Sequence, residues 1–191
     1  GESILLFNRH FDLHKIYTFE PLETNFLKLK IKTKKIEKKI VYINCALGEK
    51  KENLIIKQMI ETSSSTLNEI NEKSKYFKKK KFLLGVKDNK EMFEEKKVFV
   101  DKAANVIKKF KVDKIDLLKI DTEGYELNVI KGFGENINVV KVIIFEHHFD
   151  LMIKKSYSYR DINKYLTNNG FHLKYKFKMP FRKTFEYIYS R

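Results

Sequence analysis

The stretch DLLKIDTEGYELNVIKGF, residues Asp116–Phe133, contains the pattern that decides the fold. Its apolar run Leu117–Ile120 has the length and content of a buried strand, and an amphipathic segment begins a few residues later. Between the two lie three carboxylates, Asp121, Glu123 and Glu126, in a chain otherwise rich in lysine. Acidic residues between a buried strand and a helix are typical of α/β sheets that bind ligands beyond the carboxyl ends of their strands.

Strands and helices alternate along most of the chain. Apolar periodicity predicts strands over Lys15–Phe19, Ile40–Cys45, Asp116–Ile120 and Val139–Phe145, and helices over Ser3–Phe11, Leu22–Lys32, Ala103–Phe110, Tyr125–Lys131 and Tyr159–Asn169. Ser3 is placed to cap the first helix, and Gly132 is placed to end the helix Tyr125–Lys131. This alternation predicts one α/β domain, residues 1–191, with a mostly parallel sheet covered by helices on both faces.

Two regions depart from the alternation. Phe171–Lys178 and Phe185–Ser190 are predicted to form an antiparallel pair at the edge of the sheet. Residues 49–97 show little periodicity, and we expect loops and short strands there, with one strand near Leu54–Lys57.

Composition limits the classes of function. The chain has 191 residues, 42% of them apolar, and a net charge of +15, which is enough apolar content for a folded domain. A strongly basic chain could bind nucleic acid or anionic membrane, but only four of its cations are arginines, the residues that nucleic-acid readers favour. We therefore do not expect nucleic acid to be the main partner. The apolar runs are too short for a membrane helix, so no membrane partner is expected.

Cys45 is the sole cysteine, which excludes an internal disulfide and fits a reducing, cytoplasmic location.

Acidic residues follow three of the predicted strands. Glu20 could bind the two hydroxyls of a ribose, or it could be a surface residue before a proline turn. Asp121 and Glu123 could face a ligand, or they could only complement the dipole of the next helix. After Glu146 come two histidines, of which one is expected to face the acids because side chains alternate along a strand. Asp121, Glu123, Glu146 and His147 could also hold a divalent cation. No short metal-ligand spacing supports this alternative, so no metal site is predicted.

Four segments, in this order and spacing, resemble the FkbM-type methyltransferases, which are Rossmann-like class I enzymes that use S-adenosylmethionine. They are YTFEP at Tyr17–Pro21, NCALG at Asn44–Gly48, DLLKIDTEGYELNVIKG at Asp116–Gly132 and VIIFEHH at Val142–His148. The resemblance extends over almost the whole chain, and its most specific part is KIDTEGYE. It implies an S-adenosylmethionine-binding cleft at the carboxyl ends of a Rossmann-like sheet.

The resemblance also implies roles for individual residues. Glu20, next to Pro21, would bind the adenosine ribose, Cys45 and Ala46 would lie beside the adenine, and Asp121 would face the methionine end of the cofactor. The family's glycine-rich turn, D-x-G-A-N-x-G, would here be represented only by its last glycine, Gly1. We therefore expect the first strand and most of that turn to be missing, so that the domain is N-terminally truncated.

The hypothesis for function is O-methylation of a hydroxyl on a small molecule or sugar. Asp121, Glu123 and His147 are the candidate bases, because a base within reach of the hydroxyl removes its proton as the new bond forms. One alternative is a basic module that binds RNA or phosphorylated glycans through Lys78–Lys81 and the lysines between 28 and 39. A second alternative is a catalytically silent relative of these enzymes.

Overall fold

The computed structural model describes residues 1–60, 64–180 and 182–191. Its helices are α1 (Glu2–His10), α2 (Glu23–Lys32), α3 (Lys75–Leu83), α4 (Ala103–Phe110), α5 (Glu126–Lys131) and α6 (Tyr159–Asn168). Its strands are β1 (Ile16–Phe19), β2 (Ile40–Ile43), β3 (Ala46–Leu47), β4 (Glu52–Met59), β5 (Ser65–Thr66), β6 (Phe93–Asp101), β7 (Ile115–Ile120), β8 (Val140–His148), β9 (His172–Lys178) and β10 (Thr184–Ser190). No described helix is both long enough and apolar enough to span a membrane.

The described strands form three sheets. β1 and β2 are a parallel pair, and β7, β8, β10 and β9 lie side by side in that order. β7 and β8 are parallel, with Leu118 opposite Ile143, whereas β10 is antiparallel to both of its neighbours. The predicted antiparallel pair at the end of the chain is therefore confirmed.

The third sheet, in the order β3-β6-β4-β5, occupies the region predicted to be loops and short strands. That prediction was wrong for most of the described part of residues 49–97, because β4 and β6 pair over eight residues and α3 follows β5. Charged residues on both sides of the two strands interrupt the apolar pattern, with Lys57 beside Glu95 on one side and Lys96 beside Glu94 on the other. The fold is thus mixed α/β with several sheets, and a single mostly parallel sheet is not confirmed.

Most predicted elements agree with the structure to within one or two residues, and two ends differ. α1 begins at Glu2 with Gly1 in the cap position, so Ser3 lies inside the helix and does not cap it. β8 continues three residues beyond Phe145, because β10 pairs with it as far as Thr184 opposite His148. This extension places both histidines on a rigid strand.

The main core lies between helices α4–α6 and one face of the β7–β8–β10 sheet. Phe145 is fully buried and stacks on Tyr187 and Tyr189, with ring centroids 5.4 and 5.8 Å apart. Each such side chain contributes about 1.5–3 kcal/mol through burial. β1 joins this core through Tyr17, whose ring meets Phe110 of α4 edge-on at 5.4 Å. The core therefore fixes β1 relative to β7.

Gly132 marks a close backbone contact between two motif segments. A Cβ on this residue would lie 2.2 Å from the carbonyl oxygen of Gly48. NCALG and the end of DLLKIDTEGYELNVIKG thus pack directly on each other, and only glycine fits at this contact.

Candidate functional site

Three residues predicted to bind the cofactor meet at the carboxyl ends of β1 and β7. Glu20 follows β1, Asp121 follows β7, and Gly1 immediately precedes α1. Both carboxylates lie close enough to the backbone nitrogen of Gly1 for their charges to act on it. Gly1, Glu20 and Asp121 therefore lie around one space.

Glu20 is held in place by the turn that follows β1. Its Oε1 accepts a hydrogen bond from the Leu22 amide at 2.9 Å, and Asn44 Nδ2 donates to the carbonyl oxygens of Glu20 and Pro21 at 2.8 and 3.3 Å. Burial raises the pKa of the Glu20 carboxyl, while the hydrogen bond from the Leu22 amide lowers it. The side chain is a fixed acceptor in a partly desolvated position, as ribose binding requires.

Cys45 and Ala46 are more buried than Glu20, with exposed fractions of 5% and 8%. Ala46 begins β3 opposite Val100, and burial, with the charge of Asp101, raises the pKa of the Cys45 thiol to about 11. The thiol is therefore neutral near pH 7, and the position provides an apolar contact surface. Its proximity to adenine stays a prediction.

The turn after β7 has unusual backbone geometry. Glu123 has φ of 48° and Gly124 has φ of 97°, so both occupy the left-handed side of backbone space, which is costly for glutamate. A Cβ at Gly124 would lie 2.8 Å from Ile153. Two side chains from the 64–68 segment hold the turn: Thr66 Oγ1 donates to the Glu123 carbonyl at 2.7 Å, and Asn68 Nδ2 donates to the Gly124 carbonyl at 2.6 Å.

Glu126 holds the same turn through hydrogen bonds to its side-chain carboxylate. It is the first residue of α5, as expected, and it is completely buried. Its Oε1 accepts from the Gly124 amide at 2.7 Å and from Thr122 Oγ1 at 3.3 Å. The Tyr157 hydroxyl lies 2.7 Å from Oε2 and 2.8 Å from the Gly124 carbonyl oxygen. The third carboxylate of the motif is therefore structural, and it fixes the position of Glu123.

Asp121 has a different environment from Glu123. Its side chain is half-exposed and pairs with Lys119 Nζ at 3.2 Å. Burial, together with the charges of Asp121 and Glu126, raises the pKa of Glu123, whereas His148 lowers it. Glu146 on β8 belongs to the same group of acids, because the Asp121 charge, after burial, raises its pKa as well.

His148, and not the predicted His147, contacts the acids. Nε2 of His148 lies 3.1 Å from Glu123 Oε2. His147 points to the core side of β8, where its ring packs against Phe149, with centroids 4.8 Å apart, and near Tyr157. Burial there, with the charge of Lys155, lowers the pKa of His147 to about 3. An imidazole in this position is neutral at pH 7 and a weak base.

Two cavities were compared with the predicted site, and only the smaller one borders a predicted site residue. The larger, about 970 Å³, is an open depression between Glu72 and Glu95 and contains none of the predicted site residues. The smaller, about 10 Å³, lies beside Glu123 between Met59 and Met152 and has room for about one water molecule. Within the described residues, no three His, Cys, Asp or Glu side chains are arranged to hold a metal ion.

The family model described as "Methyltransferase FkbM domain" matches residues 2–173 of the chain. The chain belongs to the FkbM methyltransferase family. No curated protein and no solved structure gives a significant match. The FkbM match covers the ends of β1, β7 and β8 and so includes every predicted site residue except Gly1.

Proposed function

We propose that this FkbM domain is an S-adenosylmethionine-dependent methyltransferase that methylates a hydroxyl group on a small molecule or sugar. One observation carries the proposal: Gly1, Glu20 and Asp121 surround a single space at the carboxyl ends of β1 and β7. Such a space is where sheets of this kind bind nucleotides. A cytoplasmic location accords with the lone, reduced Cys45.

The residues around this space fit S-adenosylmethionine chemically. Glu20 would accept hydrogen bonds from the ribose hydroxyls, and Asp121 would balance the positive charge of the methionine end. Cys45 and Ala46 would provide the apolar surface beside the adenine. When bound, the cofactor supplies a methyl group activated by its sulfonium.

Glu123 is the best placed of the three candidate bases. In methyl transfer the acceptor oxygen bonds to the methyl carbon, the C–S electron pair stays on sulfur, and the hydroxyl proton goes to a base. Glu123 is largely buried at the strand end, whereas Asp121 is half-exposed and paired with Lys119. His147 is less suitable because its ring lies in the core. A positioned base typically contributes about 10²–10⁴-fold to the rate.

The proposal includes a Rossmann-like arrangement of the sheet. Within the described residues, β1 pairs only with β2, and β7 pairs only with β8. We infer that one further parallel strand would fit between β1 and β7 and would join the two sheets into one Rossmann-like sheet. The proximity of Glu20 and Asp121, which follow β1 and β7, to the nitrogen of Gly1 supports this inference. Residues 1–191 would then belong to one domain.

Isothermal titration with S-adenosylmethionine tests the site, using the protein with its natural N-terminal sequence. Glu20→Ala and Asp121→Asn should each weaken binding by about 10- to 150-fold, the loss of a charge-assisted hydrogen bond of about 1.5–3 kcal/mol. Asp116→Asn is the matched control, because Asp116 is an exposed aspartate at the opposite end of β7. Unchanged affinity in both site variants would contradict the assignment.

A further inference from the structure

A chain of ionisable side chains, Glu123–His148–Asp150, lies beyond the carboxyl ends of β7 and β8. His148 Nε2 is 3.1 Å from Glu123 Oε2, and its Nδ1 is 3.6 Å from Asp150 Oδ2. Nδ1 also lies at hydrogen-bond distance, 3.1 Å, from the hydroxyl of the buried Thr184. All three ionisable side chains are largely buried, so their charges act on one another with little screening.

The Glu123–His148 contact implies a proton between the two groups. A proton on Nε2 allows the imidazole to donate to Glu123, and the second carboxylate, Asp150 beside Nδ1, favours a proton on that nitrogen as well. Burial alone would lower the pKa of His148, but Asp150 and Glu123 together raise it above its ordinary value. The two atoms are at ion-pair distance but are not aligned as a hydrogen bond. In enzymes without bound substrate, hydrogen bonds between catalytic groups are often poorly aligned and become shorter when substrate binds.

The charges around this pair come from several elements. Lys155, in the segment after β8, donates a hydrogen bond to the His148 carbonyl, and its charge acts on Asp150. Glu126 of α5 raises the pKa of both His148 and Glu123, and Glu146 shares the exposed side of β8 with His148. Lys80 of α3 is a second cation, and its charge acts on Glu123. The acids still outnumber these two cations, so the imidazolium form of His148 is favoured.

We propose that His148 is a positioning residue, held as an imidazolium by Asp150 and Thr184, that keeps the buried Glu123 carboxylate ionised and ready to accept the acceptor's proton. The inference rests on the proposed function, in which that proton moves to Glu123 as the methyl group moves to the acceptor oxygen. His148 touches neither acceptor nor cofactor. It acts by placing a positive charge beside a carboxylate that burial would otherwise protonate.

The first test is a nitrogen-15 NMR titration of the histidine side chains in the protein without cofactor. His148 should titrate above its ordinary pKa of about 6.5, and Glu123→Gln should lower that pKa because a neighbouring negative charge is lost. Asp150→Asn should lower it too, and this variant keeps the test valid if Glu123→Gln does not fold. Glu135→Gln, at an exposed site, is the matched control. A wild-type His148 pKa at or below 6.5, or no change in either variant, would overturn the inference.

The second test observes Glu123 itself. Carbon-13 NMR of the glutamate carboxyls should show the pKa of Glu123 rising in His148→Gln, because the neighbouring positive charge is lost. A purely structural role would leave that pKa unchanged and would refute the inference. Titration of S-adenosylmethionine should give the same affinity in His148→Gln as in the wild type. If the wild type itself does not bind the cofactor, the proposed function fails whatever the NMR titrations show.

Discussion

Removal of the Tyr157 hydroxyl would test the support beneath the turn after β7. This hydroxyl has one proton, which it shares between the buried Glu126 carboxylate at 2.7 Å and the Gly124 carbonyl oxygen at 2.8 Å. Tyr157→Phe keeps the ring but leaves both oxygens without this donor. A hydrogen bond to a charged group contributes about 1.5–3 kcal/mol, and we expect the free energy of unfolding to fall by that amount. For a chain of this length, the melting temperature should fall by about 3–12 °C.

Urea denaturation followed by far-UV circular dichroism gives the measurement, provided that the slope m is unchanged. Tyr175→Phe is the matched control, because Tyr175 is 61% exposed on β9 and forms no hydrogen bond through its hydroxyl within the described residues. The control should change stability by no more than about 0.5 kcal/mol. If Tyr157→Phe and Tyr175→Phe were equally stable, the support of the turn through Glu126 would be refuted.

Two further predictions concern stability. The pKa of His147 is lowered to about 3 in the folded protein, so the unfolded chain binds a proton first, and stability should fall as the pH drops from 6.5 towards 3. The slope of unfolding free energy against pH should be smaller in His147→Phe, by up to about 1.4 kcal/mol per pH unit, and equal slopes in urea titrations would contradict this. Gly132→Ala should cost about 1–3 kcal/mol in the same assay, because its Cβ would overlap the Gly48 carbonyl. Wild-type stability in this variant would show that the close approach of the two backbones is not required.

The elements around the site were predictable because local patterns define them. β7 is an apolar run of strand length, and α4 matches its predicted bounds, Ala103–Phe110, because its apolar residues recur at helical spacing. Glu20 and Asp121 were predicted as site residues because each one directly follows a predicted strand. Local sequence was therefore sufficient to predict the strand ends and the acidic residues that lie near Gly1.

The missed features depend on contacts between distant parts of the chain. Both sides of β8 are apolar over Val142–Phe145, so the sequence does not show which histidine shares the side of the acids. Thr66 reaches a carbonyl 57 residues away, and no local pattern indicates such a hydrogen bond. β4 and β6 carry charged residues on both sides, and this concealed their strand periodicity.

The most direct test of the central claim maps S-adenosylmethionine onto the folded protein with its natural N-terminal sequence. Backbone amide shifts in proton–nitrogen NMR spectra should change on titration around Glu20, around Ala46 and in the turn at Asp121–Gly124. Amides at the opposite end of β7, near Asp116, should not respond. Saturable changes confined to the strand ends are the result predicted here. Changes restricted to the lysine-rich surface around Lys78–Lys81, or none at all, would contradict the claim that these strand ends bind the methyl donor.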